Sequence, residues 1–135
     1  MIETQTRYFE ALDDVTPAMV VQVTRLVDSY MLWVGPTNGK AEEAESAPQN
    51  GCLCRDWACA MPPLSDNATP AGTSLFRNST SDLALGMAQR LARRFKKQIF
   101  LSIDLPPGFL SMGHGPKLAL EAERSVVQTL KELEQ

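Results

Sequence analysis

Gly35-Pro-Thr-Asn-Gly39-Lys40 is the first stretch whose residue types could do chemistry. A glycine-bounded turn ending in lysine, after a strand, is how backbone N–H groups cradle a phosphate. The spacing here is one residue short of the nucleotide-binding pattern. Ala41 stands where a magnesium-holding Ser or Thr is needed, and Glu42 and Glu43 bring negative charge to the place phosphate would occupy. Cys52, Cys54 and Cys59 could be imagined as zinc ligands, but a structural zinc site wants four ligands in paired spacing. There are three thiols and one histidine, His114, and Cys59 falls in an expected strand. His114 itself sits in a glycine loop, Ser111-Met-Gly-His-Gly115, without the nucleophile or motif that a general base requires. These residues predict no metal, no cofactor and no enzyme.

The remaining candidate is electrostatic. Five of the chain's 13 Lys and Arg fall within eight positions: Arg90, Arg93, Arg94, Lys96 and Lys97. Cations at a helix C-terminus complement its dipole and solubilise the exposed face. Two would suffice for that, so a compact basic patch is also read as a way to steer an acidic partner. Nucleic acid fits less well, because no exposed aromatic residues alternate with the charges. The net charge of −3 and pI near 5.1 also argue against it. A small nucleic-acid- or acidic-protein-binding module using the basic helix end is the alternative function.

The elements that must position these groups are legible from periodicity. Arg7 to Leu12 is expected as a short strand, and Met19 to Val27 alternates as a stronger one. Asp28-Ser29 is expected to turn into Tyr30 to Val34, which is apolar on both faces. Trp57 to Met61 and Thr73 to Phe76 follow as short strands, and Gln98 to Leu105 as the last. Ser79 and Asp82 have the spacing of a capping box. The helix they open carries the stripe Leu83, Met87, Leu91 and Phe95, widened by Ala84, Ala88 and Ala92. Pro116 opens a second helix to about Leu133, with Leu118, Ala122, Val126, Leu130 and Leu133 along one face.

The expected architecture is one α+β domain over residues 1–135. It has an antiparallel sheet of about six strands with two helices on one face. Two connections, 36–55 and 62–72, read as flexible loops from their proline, glycine and polar content. Met31, Trp33 and Phe100 fall on the face opposite the helices, with Ser102 beside them. A sheet facing water alternates more cleanly, so this second face is expected to meet something, such as a partner subunit. Apolar residues make up 44% of the chain and charged residues 21%, ordinary globular values. With no signal-like start, no membrane-length apolar run and three cysteines, the chain is expected to be soluble and intracellular.

Several segments, in order, resemble one family. Asp28-Ser-Tyr-Met-Leu-Trp-Val-Gly35 resembles the D-S-L-F-L-W-V-G hairpin of the proteasome assembly chaperone 4 family. Asp56-Trp-Ala-Cys-Ala-Met61 resembles its N-L-A-V-A-M strand, and Thr73-Ser-Leu75 its T-S-L. Gly86-Met-Ala-Gln-Arg-Leu-Ala-Arg93 is similar to its helix G-L-A-Q-R-L-A-R, and Lys97-Gln-Ile-Phe-Leu-Ser102 to its K-Q-V-F-V-S strand. The two loops look longer here, and Pro106 to Gly115 has no clear counterpart. The resemblance implies a non-enzymatic chaperone of the cytoplasm and nucleus. It implies pairing with a related chaperone, number three of the same series, as a heterodimer that forms a larger sandwich. It further implies binding to a 20S proteasome α subunit, notably the fifth, while the α ring forms. On that reading Met31, Trp33, Phe100 and Ser102 would join the partner chaperone. Arg90, Arg93, Arg94, Lys96 and Lys97 would help dock the α subunit.

Overall fold

A computed structural model describes residues 2–11, 17–37, 55–65, 67–76, 83–105 and 115–134. The elements run β1 (Glu3–Phe9), β2 (Ala18–Leu26), β3 (Ser29–Thr37), β4 (Trp57–Ala60), β5 (Gly72–Phe76), α1 (Ala84–Phe95), β6 (Gln98–Ile103) and α2 (Gly115–Glu134). The six strands form one sheet in the order β1-β2-β3-β6-β4-β5.

The expected antiparallel sheet is corrected to a mixed one. β3 and β6 lie side by side and parallel, with Met31 opposite Phe100 and Trp33 opposite Ser102, while every other pair is antiparallel. A parallel neighbour needs a long crossover. Here β4, β5 and α1 all lie between β3 and β6 in the chain. The sequence carried a trace of this: a strand apolar on both faces, as Tyr30 to Val34 is, is typical of parallel pairs at a sheet's centre.

Strand alternation sets the two faces. Met19, Val21 and Val23 of β2, Leu32 and Val34 of β3, and Ile99, Leu101 and Ile103 of β6 share one core with both helices. From α1 come Ala84, Met87, Ala88, Leu91 and Ala92, and from α2 Leu118, Ala122, Val126 and Leu130. The expected stripes are therefore the ones that pack. The three alanines lay α1 close against the sheet, and a larger side chain there would push it off.

Local differences have local causes. The first strand lies earlier than expected, because Glu3 to Phe9 pair residue by residue with Arg25 to Met19. The hairpin turn is Val27-Asp28, one residue earlier, with Leu26 opposite Ser29. Asp28 takes the left-handed conformation (φ 51°) that a short polar side chain tolerates. Val27, expected as the last residue of the second strand, is exposed in that turn. β3 also extends through Pro36 and Thr37, which pair with Met19 and Ala18. The capping-box residues Ser79 and Asp82 lie outside the described residues.

Candidate functional site

The helix-free face of the sheet is the first candidate. One row across the strands runs Gln22, Trp33, Ser102, Trp57 and Phe76, and the next runs Thr24, Met31, Phe100, Cys59 and Thr73. The four residues assigned to a partner interface from the sequence are thus adjacent, as two opposed pairs on β3 and β6. Their exposure differs. Met31 and Phe100 are partly exposed, whereas Trp33 is 7% exposed and Ser102 is fully buried. The Trp33 indole packs with Val20 and Tyr8 and lies across Gly35. A Cβ at Gly35 would stand 2.6 Å from ring carbon Cζ2, so only glycine admits this ring position. The indole N–H groups of Trp33 and Trp57 are buried without a hydrogen-bond partner among the described residues. An unpaired buried donor costs about 1–3 kcal/mol. Periodicity flagged Trp33 but missed Trp57, which joins the same row only through the β4–β6 register.

The basic turn is the second candidate, and its five cations fan apart. Arg90 donates through Nε to both oxygens of Glu123 on α2, at 3.1 and 3.2 Å, and through Nη2 to one of them. Arg93 Nη2 donates to the Ala68 carbonyl at 2.8 Å, and Gln89 Nε2 to that of Pro70 at 2.9 Å, so α1 holds the connection that precedes β5. Lys96 closes the helix in the left-handed conformation (φ 56°), its N–H bonded to the Ala92 carbonyl. Arg94 stands 5.9 Å from the centre of the Phe95 ring. Lys97 pairs with Glu134 at 3.2 Å and lies over the Tyr30 ring at 5.2 Å. Among the described residues, Arg94 and Lys96 carry no ion pair.

Tyr30, Lys97 and Glu134 make a clasp between β3, the turn before β6 and the end of α2. The Tyr30 hydroxyl donates to Glu134 Oε1 at 2.6 Å. That bond, with Lys97 beside it, holds the Glu134 carboxyl below the usual carboxylate range despite some desolvation. Lys97 is pushed up by its bond to Glu134, and Tyr30 is pushed up by burial first and by Glu134 next.

Asp56 does work that no local pattern announces. It is fully buried, and its Oδ2 accepts the N–H of Leu83 at 2.7 Å and of Ala84 at 3.1 Å. Leu83, at the N-cap position of α1, offers no side-chain cap of its own. A carboxylate from the start of β4 therefore fills the capping role. Next to it Arg55 Nε meets Asp104 Oδ1 at 2.7 Å, and the Asp56 carbonyl accepts from Ile103. The signal available beforehand was only an Arg-Asp pair ahead of a strand.

The other chemical candidates fall largely outside the described residues: Asn38 to Lys40, Cys52, Cys54 and His114 all do. Among the described residues no group of three or more His, Cys, Asp or Glu could hold a metal ion, and no helix is long and apolar enough to cross a membrane.

Residues 18–105 match the family model for proteasome assembly chaperone 4. That span covers β2 to β6 with α1, hence both candidate surfaces. The chain belongs to the proteasome assembly chaperone 4 family. It is 40% identical over 83 residues to proteasome assembly chaperone 4 of Mus musculus and 39% identical over the same length to that of Homo sapiens. Each match takes in 62% of this chain and 55% of the relative, so the chain spans about half the length of the curated relatives it matches. Its fold is that of a chain in the crystal structure of a novel chaperone complex for yeast 20S proteasome assembly, with a TM-score of 0.63 at 18% identity. That likeness covers 97% of this chain and 96% of the other. It therefore takes in β1 and α2, which the family match leaves out.

Proposed function

We propose that this chain is a non-enzymatic chaperone of 20S proteasome assembly, acting in the cytoplasm and nucleus. It pairs with a related chaperone, the third of the series, and the pair binds an α subunit, the fifth, while the α ring forms. The observation that carries this reading is family membership across residues 18–105.

The helix-free face is the surface assigned to the partner chaperone, with Met31 and Phe100 partly exposed over the buried Trp33 and Ser102. Apolar patches of this kind are usual at interfaces. The basic turn is assigned to the α subunit. Arg94 and Lys96 are its best candidates, since Arg90 and Lys97 already hold glutamates of α2. Binding has to be reversible, and a modest, partly polar contact suits that.

Reconstitution tests both assignments. Mixed with the related chaperone, the wild-type chain should elute as a one-to-one complex by light scattering, and Phe100→Asp should elute alone. A Phe100→Asp chain that still forms the complex would remove the sheet face from the interface. Neutralising Arg93, Arg94, Lys96 and Lys97 together should weaken α-subunit binding and flatten its salt dependence. Unchanged affinity across ionic strength would remove the turn.

A further inference from the structure

The solvent side of α2 is not uniformly polar. Leu120 is 52% exposed, and Val127 is partly exposed two turns further on. Positions 120, 124, 127 and 131 follow the spacing of one helix face, turned from the core stripe of Leu118, Ala122, Val126 and Leu130, with Val127 at its border packing partly against that core. Along it apolar and cationic residues alternate: Leu120, Arg124, Val127, Lys131. Arg94, in the last turn of α1, joins them to line an open groove of about 470 Å³. Glu123 is the acidic residue of the lining, and the guanidinium of Arg90 already holds its carboxylate. Arg124 meets Glu121 at 3.3 Å, but exposed pairs three residues apart on a helix are weak. The groove thus keeps an excess of positive charge on a chain whose net charge is −3.

We propose that the groove between α1 and α2 docks an acidic amphipathic helix of a partner protein. Leu120 and Val127 receive its apolar side chains, and Arg94, Arg124 and Lys131 receive its carboxylates. Both halves of the lining are needed for this choice. Carboxylates match guanidinium groups in charge and geometry, and the apolar pair gives a helix its anchor points. This deepens the α-subunit reading above and rests on it for the identity of the partner. It extends the charged contact from the turn into the groove, where Arg94 is the shared residue.

The test is a titration of the full chain into a labelled synthetic helical peptide of glutamate and leucine, read by fluorescence anisotropy. The contact is mapped by NMR shifts on the labelled chain. Saturable binding that weakens with salt is expected, with shifts centred on Leu120 and Val127. Arg124→Glu with Lys131→Glu should weaken it about tenfold or more, and Leu120→Ser alone should weaken it several-fold. The same peptide with lysine for glutamate should not bind, and Leu64→Glu, at a fully exposed position in the connection before β5, should change nothing. All these positions are exposed, so the variants should keep the wild-type Tm; Arg124→Gln with Lys131→Gln gives the same comparison if charge reversal lowers it. No saturable binding, equal affinity in the double variant, or shifts mapping elsewhere would overturn the groove while leaving chaperone pairing intact. Conversely, a wild-type chain that captures no α subunit yet binds the peptide overturns the α-subunit reading and leaves the groove standing.

Discussion

Asp56 caps α1 from 27 residues away, with one carboxylate oxygen accepting two backbone N–H groups. Asp56→Ala would leave those donors without it in a buried site, and should cost about 1–3 kcal/mol. Asp56→Asn keeps an acceptor and should cost less, the two being ranked by urea midpoints. The clasp at Tyr30 sets a pH dependence. Glu134 has a folded pKa below its unfolded value, so its contribution is complete above the ordinary carboxyl range and is lost as pH falls through the folded value. Lys97 is raised, so its contribution is complete below the ordinary lysine range and is lost as pH rises through the folded value. Urea midpoints of the wild type and Glu134→Gln should therefore differ near neutrality and converge as pH falls. Parallel curves across the acid range would remove the clasp from the account. These residue-level devices were the least legible in the sequence. Ser79 and Asp82 offer a capping pattern within a few residues, whereas Asp56 reaches α1 only because β4 starts beside it.

The elements were more legible, because each is written in its own period. Alternation marked β2 and β6, and the stripes Leu83 to Phe95 and Leu118 to Leu133 marked the helices that now pack. What periodicity could not supply was the neighbour relation. The parallel pairing of β3 with β6 depends on where the crossover through β4, β5 and α1 lands, and no local pattern encodes that. The row of Trp33, Ser102 and Trp57 exists only because of that landing, so Trp57 was invisible as an interface residue. Close packing at this scale is testable at two positions. Ala88→Leu would wedge α1 away from the sheet and should cost about 1–3 kcal/mol by overpacking, read as a lower Tm. Gly35→Ala would drive a methyl group into the Trp33 ring. It should change tryptophan fluorescence and weaken pairing with the related chaperone; unchanged emission would mean that the ring does not rest there.

At the scale of the molecule, the sheet divides the protein into two sides. One is finished by α1 and α2, whose ion pairs Arg90–Glu123 and Lys97–Glu134 tie the family-matched span to the C-terminal helix. The other carries Met31 and Phe100 in the row next to two tryptophans whose indole N–H groups find no partner among the described residues. On the proposed function such a chain acts by fitting against other proteins, so that proposal is read from what it retains. The most direct measurement is quantitative mass spectrometry of complexes captured on the tagged full chain from cell extract, with Phe100→Asp in parallel. The wild type should retain a related chaperone of similar size together with 20S α subunits, the fifth among them, and few β subunits. Phe100→Asp should lose the chaperone. Capture of neither the chaperone nor any α subunit by the wild-type chain would contradict the account.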